Sequence, residues 1–498
     1  MGDVPEMEGW DGRCGAARLG GMEIAIIGAG AAAVGLLDAL DPATVTSVTV
    51  FDPAPVPWRG RPYQDDLDSV LVNAPPEIMS IRFGDRDHYA GWLREHDASA
   101  GAYADERLGR PIPPRAVYGR YLEDTAEAAV ARFDRTAVIQ AAVTGVFMGE
   151  RLAVQTADGR LHTADQVVVC VGGGTPLDHY GLAGAPGFVP DPYPLARTLA
   201  DIPPGRDVAV IGGGLTAVDI VASLAARGHT GRISLVSRSG TLPYVWQRPA
   251  ETGIRHLTPD RLRSLGGSVP LAVLARLIRS ELAERGESWD DLAAWITATA
   301  NRRPAEALRE QLALVDDPHL GRRILQEAAH TAGAVAWRLL RAADRELLRT
   351  RHYRTITGLA SPMVPGNAAV LLELFDAGTL ESLSGIEKIE PGDAFRIVHA
   401  AGQRTADVVI NAVNPPPHAI PRAAERLVSS LLGQGAAQHP DGGLVTDPGT
   451  GRIVVGGRPD PRLHVVGDLA GGGPFLVSGI PGVAAQAHRT SLSIGRER

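Results

Sequence analysis

The stretch Glu23-Ile24-Ala25-Ile26-Ile27-Gly28-Ala29-Gly30-Ala31-Ala32-Ala33 decides the fold of this chain. Its apolar run reads as a buried strand, and the small residues that follow read as a turn into a helix. Gly28 permits the tight turn, Gly30 lets the backbone approach a pyrophosphate, and Ala33 lets helix and strand pack closely. Ala29 and the first helical N–H groups then face the phosphates. The same pattern returns in Asp207-Val208-Ala209-Val210-Ile211-Gly212-Gly213-Gly214-Leu215-Thr216-Ala217, where Gly212, Gly214 and Thr216 occupy the matching turn. One such turn also occurs in cores rich in alanine and glycine. Two of them, each placed where a strand hands over to a helix, point to two dinucleotide sites.

The two sites differ at the tip of the next strand. Beyond Gly28 the chain runs through Ser47-Val48-Thr49-Val50-Phe51-Asp52, so a carboxylate arrives 24 positions on (52 − 28), where an adenosine ribose offers its hydroxyls. That suits FAD or NAD. Beyond Gly212 the segment Arg232-Ile233-Ser234-Leu235-Val236-Ser237-Arg238 brings a hydroxyl and a guanidinium to the same place, 26 positions on (238 − 212). A carboxylate there would repel a 2′-phosphate, whereas arginine clamps one with charge-assisted hydrogen bonds. The second site therefore reads as one for NADPH, through Ser237 and Arg238.

Composition narrows the class. A chain of 498 residues, 44% hydrophobic and 21% charged, is long enough for two or three globular domains. A net charge of −8 with no basic arm argues against a nucleic-acid partner, and Lys388 is the only lysine. The two cysteines, Cys14 and Cys170, form no close pair that could run a dithiol reductase. The 14 histidines lack metal-ligand spacing, so no metal is expected. No apolar run reaches the ~18–20 residues of a membrane span, and residues 1–21 carry Asp3, Glu6, Glu8 and Asp11 rather than a signal sequence. A disordered extension over 1–21 and a cytoplasmic location are expected.

The order of segments sets out an α/β protein with two Rossmann-like units, the first discontinuous and the second inserted into it. Residues 22–200 open the FAD unit. Within them are a Pro- and Trp-containing loop (Pro55 to Tyr63), Leu71-Val72-Asn73, helical pieces near His88 and from Pro114, a small β-meander over Val138 to Leu161, and a strand into Val171-Gly172-Gly173. The NADPH unit occupies 201–257 and 381–420, interrupted by a helical insertion over 258–380 that reads equally as a packing or dimer surface and as a cap that shapes a substrate site. Residues 421–498 return to the FAD unit through Val466-Gly467-Asp468. There the N-terminus of the helix that follows Gly467 is expected to face the flavin side of the pyrophosphate, and Asp468 to accept from a ribityl hydroxyl.

This order resembles that of the two-dinucleotide-binding flavoproteins, which include flavin-containing and N-hydroxylating monooxygenases. More narrowly, Ala25 to Gly30, Gly60-Arg61-Pro62-Tyr63, Leu71-Val72-Asn73, Pro114-Arg115-x-x-Tyr118-Gly119-x-Tyr121-Leu122 and Gly214-Leu215-Thr216-Ala217-Val218-Asp219 are similar to the bacterial FAD/NAD(P)-binding family that contains an FAD-dependent urate hydroxylase. The chain departs from that pattern at Val413-Asn414-Pro415-Pro416-Pro417, where relatives carry a small-residue turn. The string Phe83-Gly84-x-x-x-His88-x-x-x-Trp92 mimics a Baeyer–Villiger fingerprint but lacks one residue and lies before the wrong turn, so it is read as coincidence.

The resemblance implies FAD and NADPH as cofactors, and a monooxygenase in which reduced flavin traps O₂ as a C4a-hydroperoxide and oxidises a small-molecule substrate. Asn73 and Arg115 are then expected near the flavin ring or the pocket. No catalytic acid or base is nominated, because the flavin supplies the oxygen chemistry. An NADPH-dependent flavin reductase and a non-catalytic scaffold are the competing readings, and a homodimer is left open.

Overall fold

The computed structural model describes residues 21–97, 100–415, 418–471 and 479–495. Within them each glycine turn heads its own parallel sheet. In the first sheet Met22–Ile27 is central. Val45–Phe51 and then Arg135–Ile139 lie on one side, Gln166–Val169 and then Arg458–Val465 on the other, and Arg452–Val455 closes that edge antiparallel. The unbroken apolar run of the central strand follows from burial on both faces. Ile24 and Ile26 pack among the helices, with Leu36, Tyr118 and Ala487, while Ala25 and Ile27 pack on the opposite layer with Val146, Val154 and Leu427.

The second sheet repeats the plan. Val208–Ile211 is central, with Ile233–Val236 and Leu380–Leu383 on one side and Val408–Asn411 and Phe188–Val189 on the other, all parallel. Counting only the parallel strands, from the one that leads into each glycine turn, each unit also carries a three-stranded antiparallel meander between its third and fourth strands. In the first it is Val143–Phe147, Leu152–Thr156 and Leu161–Ala164, and in the second Ile386–Glu390, Phe395–His399 and Gly402–Ala406. The second unit is spliced between the fourth and fifth strands of the first.

Helices from Pro259–Ser264 to Pro365–Asp376 fill the space between the second and third strands of the second unit. The corresponding slot of the first unit holds His88–His96 and Arg115–Val130. The inserted helices have a core of their own around Leu262, Leu274, Trp337 and Leu340. They also contribute Leu308, Met363 and Leu371 to the core of the second unit. The extended segment that leads into them joins the units: Val245 bridges Met363, and the Trp246 indole donates to the Asn73 carbonyl at 2.7 Å.

A buried ion pair fixes one nucleotide unit against the other. Arg115, at the start of the helix Arg115–Val130, donates to Asp219 Oδ2 (2.6 Å) on the helix Leu215–Ala226, to the Tyr193 hydroxyl (3.0 Å) and to the Leu71 carbonyl (2.9 Å). Tyr193 donates to the same Asp219 oxygen at 2.5 Å. Asp219 is 1% exposed, and burial raises its carboxyl above the usual range against the pull of Arg115. Removing one partner strands a buried charge. Asp219→Asn is therefore expected to lower stability by about 3–5 kcal/mol in urea unfolding, and pairing Arg115→Met with Asp219→Leu to cost less than the two single changes together. Additive losses would show that the pair is not coupled.

His464, in the fifth strand of the first sheet, is fully buried, and neither ring nitrogen has a hydrogen-bond partner among the described residues. Burial, and then the charge of Arg452, push its pKa down from 6.5 to about 3. The unfolded chain therefore binds a proton that the fold refuses, and stability drops as pH falls below 6.5 toward 3. In this window the His464 contribution is a loss of about 1.4 kcal/mol per pH unit. His464→Leu should flatten that slope in urea titrations at stepped pH, and an unchanged slope would assign the acid sensitivity to other groups.

Candidate functional site

Both glycine turns are imposed by backbone crowding. Gly28 sits at φ +100°, its N–H donates to the Phe51 carbonyl at 2.7 Å, and a Cβ there would lie 2.6 Å from the Cys170 carbonyl oxygen. Only glycine satisfies both demands. Gly30 precedes the helix Ala31–Ala39 in extended conformation, with no side chain capping the helix. Ala33 is fully buried beneath it, as its packing role requires. The Pro-rich loop folds back so that a Cβ on Gly60 would stand 3.3 Å from the Gly30 α-carbon. Asp52 ends the second strand, where its Oδ2 accepts from the Ala29 N–H (2.7 Å) and its Oδ1 from the Ala54 N–H (2.8 Å). The carboxylate is thus held at the turn with a lone pair left on each oxygen.

The second turn repeats this geometry. Gly212 has φ +129°, donates to the Val236 carbonyl at 2.8 Å, and a Cβ there would lie 3.0 Å from the Ala412 carbonyl oxygen. Gly214 leads into the helix Leu215–Ala226, again with no side-chain cap, and a methyl at Gly214 would meet nothing within 4 Å. Thr216 donates to Asn414 Oδ1 at 3.4 Å. Ser237 is buried, and its Oγ accepts from the Gly240 N–H at 2.9 Å, so it braces its own loop. Arg238 is exposed, with no ion pair for its guanidinium among the described residues. Arg354, on the helix Tyr353–Ala360, shares its surroundings: burial and then the charge of Arg238 push the Arg354 pKa down. The hydroxyls of Ser239 and Thr241, 2.8 Å apart, complete a cationic, hydroxyl-lined loop without a carboxylate partner.

The returning strand supplies a third turn. Gly467 has φ +105° and donates to Gln486 Oε1 at 2.8 Å on the helix Ile480–Gly495. The Asp468 carbonyl accepts from His418 Nδ1 at 2.8 Å. Its carboxylate lies 3.1 Å from where a Cβ on Gly173 would stand. Gly172 is exposed with open space around it, so the close approach in this segment belongs to Gly173. Residues 472–478, with Pro416, Pro417 and the extension over 1–20, lie outside the described residues.

The side chain of Arg115 is fully engaged in the interdomain pair rather than in a pocket. Asn73 contributes its carbonyl to Trp246. The Phe83…Trp92 string is local packing: Phe83 stacks on His488, His88 meets the Tyr121 hydroxyl at 2.8 Å and Trp92 donates to Asp124 at 2.8 Å. Cys170 is buried and unreactive in character, since burial pushes its thiol pKa up. Among the described residues no group of three or more His, Cys, Asp or Glu is arranged to hold a metal. No helix there is long and apolar enough to cross a membrane.

Sequence reasoning passed over Gly213, where a Cβ would fall 2.8 Å from the Thr241 carbonyl oxygen; its neighbourhood of three glycines was the available signal. It also passed over Gly60 and the partnership of Asp219 with Arg115, although all three lay in quoted motifs.

Residues 25–174 match a family model described as FAD-NAD(P)-binding, a stretch shorter than half of the chain. No curated protein matches. Among solved structures, the chain is similar to the L-lysine 6-monooxygenase of Pseudomonas syringae (15% identity over 95% of this chain and 99% of that one, TM-score 0.58). It is similar also to the ornithine N-hydroxylase of Kutzneria sp. 744, solved with reduced FAD, NADP+ and L-ornithine (15%, 96% and 99%, TM-score 0.57). The FAD-bound cadaverine monooxygenase of Erwinia amylovora gives 12% identity over 96% of this chain and 95% of that one, with a TM-score of 0.59. At these identities the likeness is one of fold. The chain has the two-domain, Rossmann-like architecture of these flavoproteins, helical part included.

Proposed function

We propose that this protein is an FAD-dependent, NADPH-consuming monooxygenase that hydroxylates or N-oxygenates a small organic substrate with O₂. The observation that carries the reading is the pair of equivalent glycine turns whose second-strand tips bear opposite charges, Asp52 in one and Arg238 in the other. The chain's own residues fit both cofactors. In the first unit the uncapped helix behind Gly30 presents N–H groups to a pyrophosphate, Asp52 has lone pairs for ribose hydroxyls, and Gly467 and Asp468 bring a second turn to the flavin half. In the second, Gly214 leaves clearance for a pyrophosphate, and Arg238, with Arg354 beside it, offers positive charge to a 2′-phosphate. Ser237 shapes that loop and keeps its hydrogen to donate.

Bound flavin accepts hydride from the nicotinamide and supplies the oxygen chemistry. The protein's part is to fix the two units against each other through Arg115 and Asp219, and to keep water from the reacting centre with the inserted helices. Similarity in fold to N-hydroxylating monooxygenases across nearly the whole chain supports oxygenation over plain reduction. Two of the motifs behind the narrower likeness to a urate hydroxylase, Gly60 to Tyr63 and Pro114 to Leu122, are architectural here. A Cβ on Gly119 would stand 2.1 Å from the Tyr63 carbonyl oxygen, and Tyr118 and Tyr121 are fully buried. They inform on packing and leave the substrate to other segments.

Purified protein should carry FAD rather than FMN, since Asp52 addresses an adenosine half that FMN lacks, and Asp52→Ala should lose flavin on gel filtration. A protein that is colourless and ignores added FAD overturns the first-site assignment. Arg238→Ala should lower the preference for NADPH over NADH about 10- to 100-fold, the worth of a charge-assisted hydrogen bond of about 1.5–3 kcal/mol. Equal loss with both nucleotides would make Arg238 structural. Incorporation of labelled oxygen from O₂ into product tests oxygenation itself; substrate turnover that proceeds anaerobically at the full rate would identify a reductase.

A further inference from the structure

Two neighbouring arginines on the inserted helix Gly321–Thr331 are treated very differently. Arg323 is satisfied by three carbonyls, those of Arg248 (2.7 Å), Asp317 (2.8 Å) and His319 (2.7 Å). Arg322 makes one such bond, to the Leu314 carbonyl at 3.1 Å, and its Nη1 is buried with no partner among the described residues. Of the acids whose charge acts on it, Asp317 does so most strongly, without an ion pair among the described residues, and Glu310 is already paired with Arg302. Burial pushes the Arg322 pKa down to about 10, the mark of a guanidinium removed from water without full compensation.

Orphaned polar atoms of Gln247 and Trp295 adjoin it, and two more belong to residues one helical turn further along. Gln247 shares the Leu314 carbonyl with Arg322 through its Nε2 (3.1 Å), and its Oε1 is buried and unpartnered. The Arg322 guanidinium lies 4.6 Å above the Trp295 ring, whose Nε1 is buried and unpartnered. Thr299 follows Trp295 by one turn of the helix Trp289–Asn301, and Gln326 follows Arg322 by one turn. Thr299 Oγ1 and Gln326 Nε2 are likewise buried without partners. Gln247 and Thr299 are 5% and 6% exposed, while Arg322 and Trp295 are half-buried. Tyr244 packs on Trp295 with ring centroids 5.7 Å apart and extends the aromatic wall. Native interiors pair nearly all such atoms, and the orphaned atoms of Gln247 and Trp295 beside the unpartnered Arg322 Nη1 mark a candidate ligand site.

We infer that Arg322, Trp295, Thr299, Gln326 and Gln247 bind a small organic carboxylate that also carries a hydrogen-bond donor. The donors are Arg322 Nη1, the Trp295 indole, the Thr299 hydroxyl and the Gln326 amide, which suit an oxyanion; the single acceptor, Gln247 Oε1, takes the ligand's own N–H or O–H. Gln247 directly follows Trp246, which joins the inserted helices to Asn73 of the first unit, so the site adjoins the segment that links the units. That this carboxylate belongs to the molecule being oxidised rests on the monooxygenase reading. The binding itself does not.

The test is saturation-transfer NMR on the FAD-loaded protein without NADPH, using benzoate, 4-hydroxybenzoate, hippurate and L-ornithine, each against its neutral or amide counterpart. At least one carboxylate should be retained over its counterpart by about tenfold or more, and Arg322→Gln should abolish that preference. Gln326→Leu, which keeps the cation, should weaken binding severalfold. Arg322→Met should melt at or above the wild-type temperature, because it removes an uncompensated charge. The inference is overturned if no carboxylate is preferred, if the preference survives Arg322→Gln, or if Arg322→Met melts well below wild type, which would make the arginine a structural prop satisfied by water. A carboxylate that binds yet never stimulates NADPH oxidation leaves the site standing and removes its tie to the substrate; oxygenation of neutral amines with no carboxylate retention does the reverse.

Discussion

The structure turns on one kind of contact made twice: a glycine α-carbon pressed against the carbonyl at the end of the neighbouring strand. Gly28 meets Cys170, and Gly212 meets Ala412. These carbonyls also mark the places where the chain leaves one unit for the other. Cys170 begins the passage from the first sheet to the second, and Ala412 the passage back. The crossing points are therefore held at the two glycine turns, and the segments that cross pack on each other: a Cβ on Gly174 would lie 3.0 Å from Ala419 and from Pro415. Cofactor turns and domain junctions are thus built from the same few backbone atoms.

Repetition of one plan explains how a chain with a single topology reads two different nucleotides. Both units place the meander after the third strand and a helical segment after the second, so the second-strand tips are geometrically equivalent. Selectivity is left to what stands there. Asp52 is tied to its own turn by two backbone N–H groups, which holds a negative charge where ribose hydroxyls would come. Arg238 has its carbonyl accepting from the Gly385 N–H at 3.1 Å, and its exposed guanidinium has no ion pair among the described residues.

Polar groups inside the protein differ in how their burial is answered. The Arg115, Asp219 and Tyr193 triad buries charge in mutual contact and spends it on holding the units together. The Arg322 cluster buries charge and leaves it uncompensated. A desolvated cation raises the free energy of the fold unless something answers it; nearby Arg323, whose pKa burial also lowers, is answered by three carbonyls where Arg322 has one.

The sequence by itself determined what local covalent geometry and side-chain periodicity control. Apolar runs ending in Gly28 and Gly212 specified parallel strands and tight turns, the acid and the arginine at matching offsets specified which tip carries which charge, and the helical periodicity after Thr258 specified the inserted helices. Tertiary structure decided what depends on residues far apart in the chain. Arg115 meets Asp219 across 104 positions, so its engagement between the units, rather than in a pocket, could not be seen in its own helix. Gly173 is the glycine whose missing Cβ faces Asp468, a proximity between distant segments that no local pattern shows. Gln247, Trp295 and Arg322 become neighbours only when three separate segments pack, and a polar atom's lack of a partner is a property of the folded interior, where water no longer supplies one.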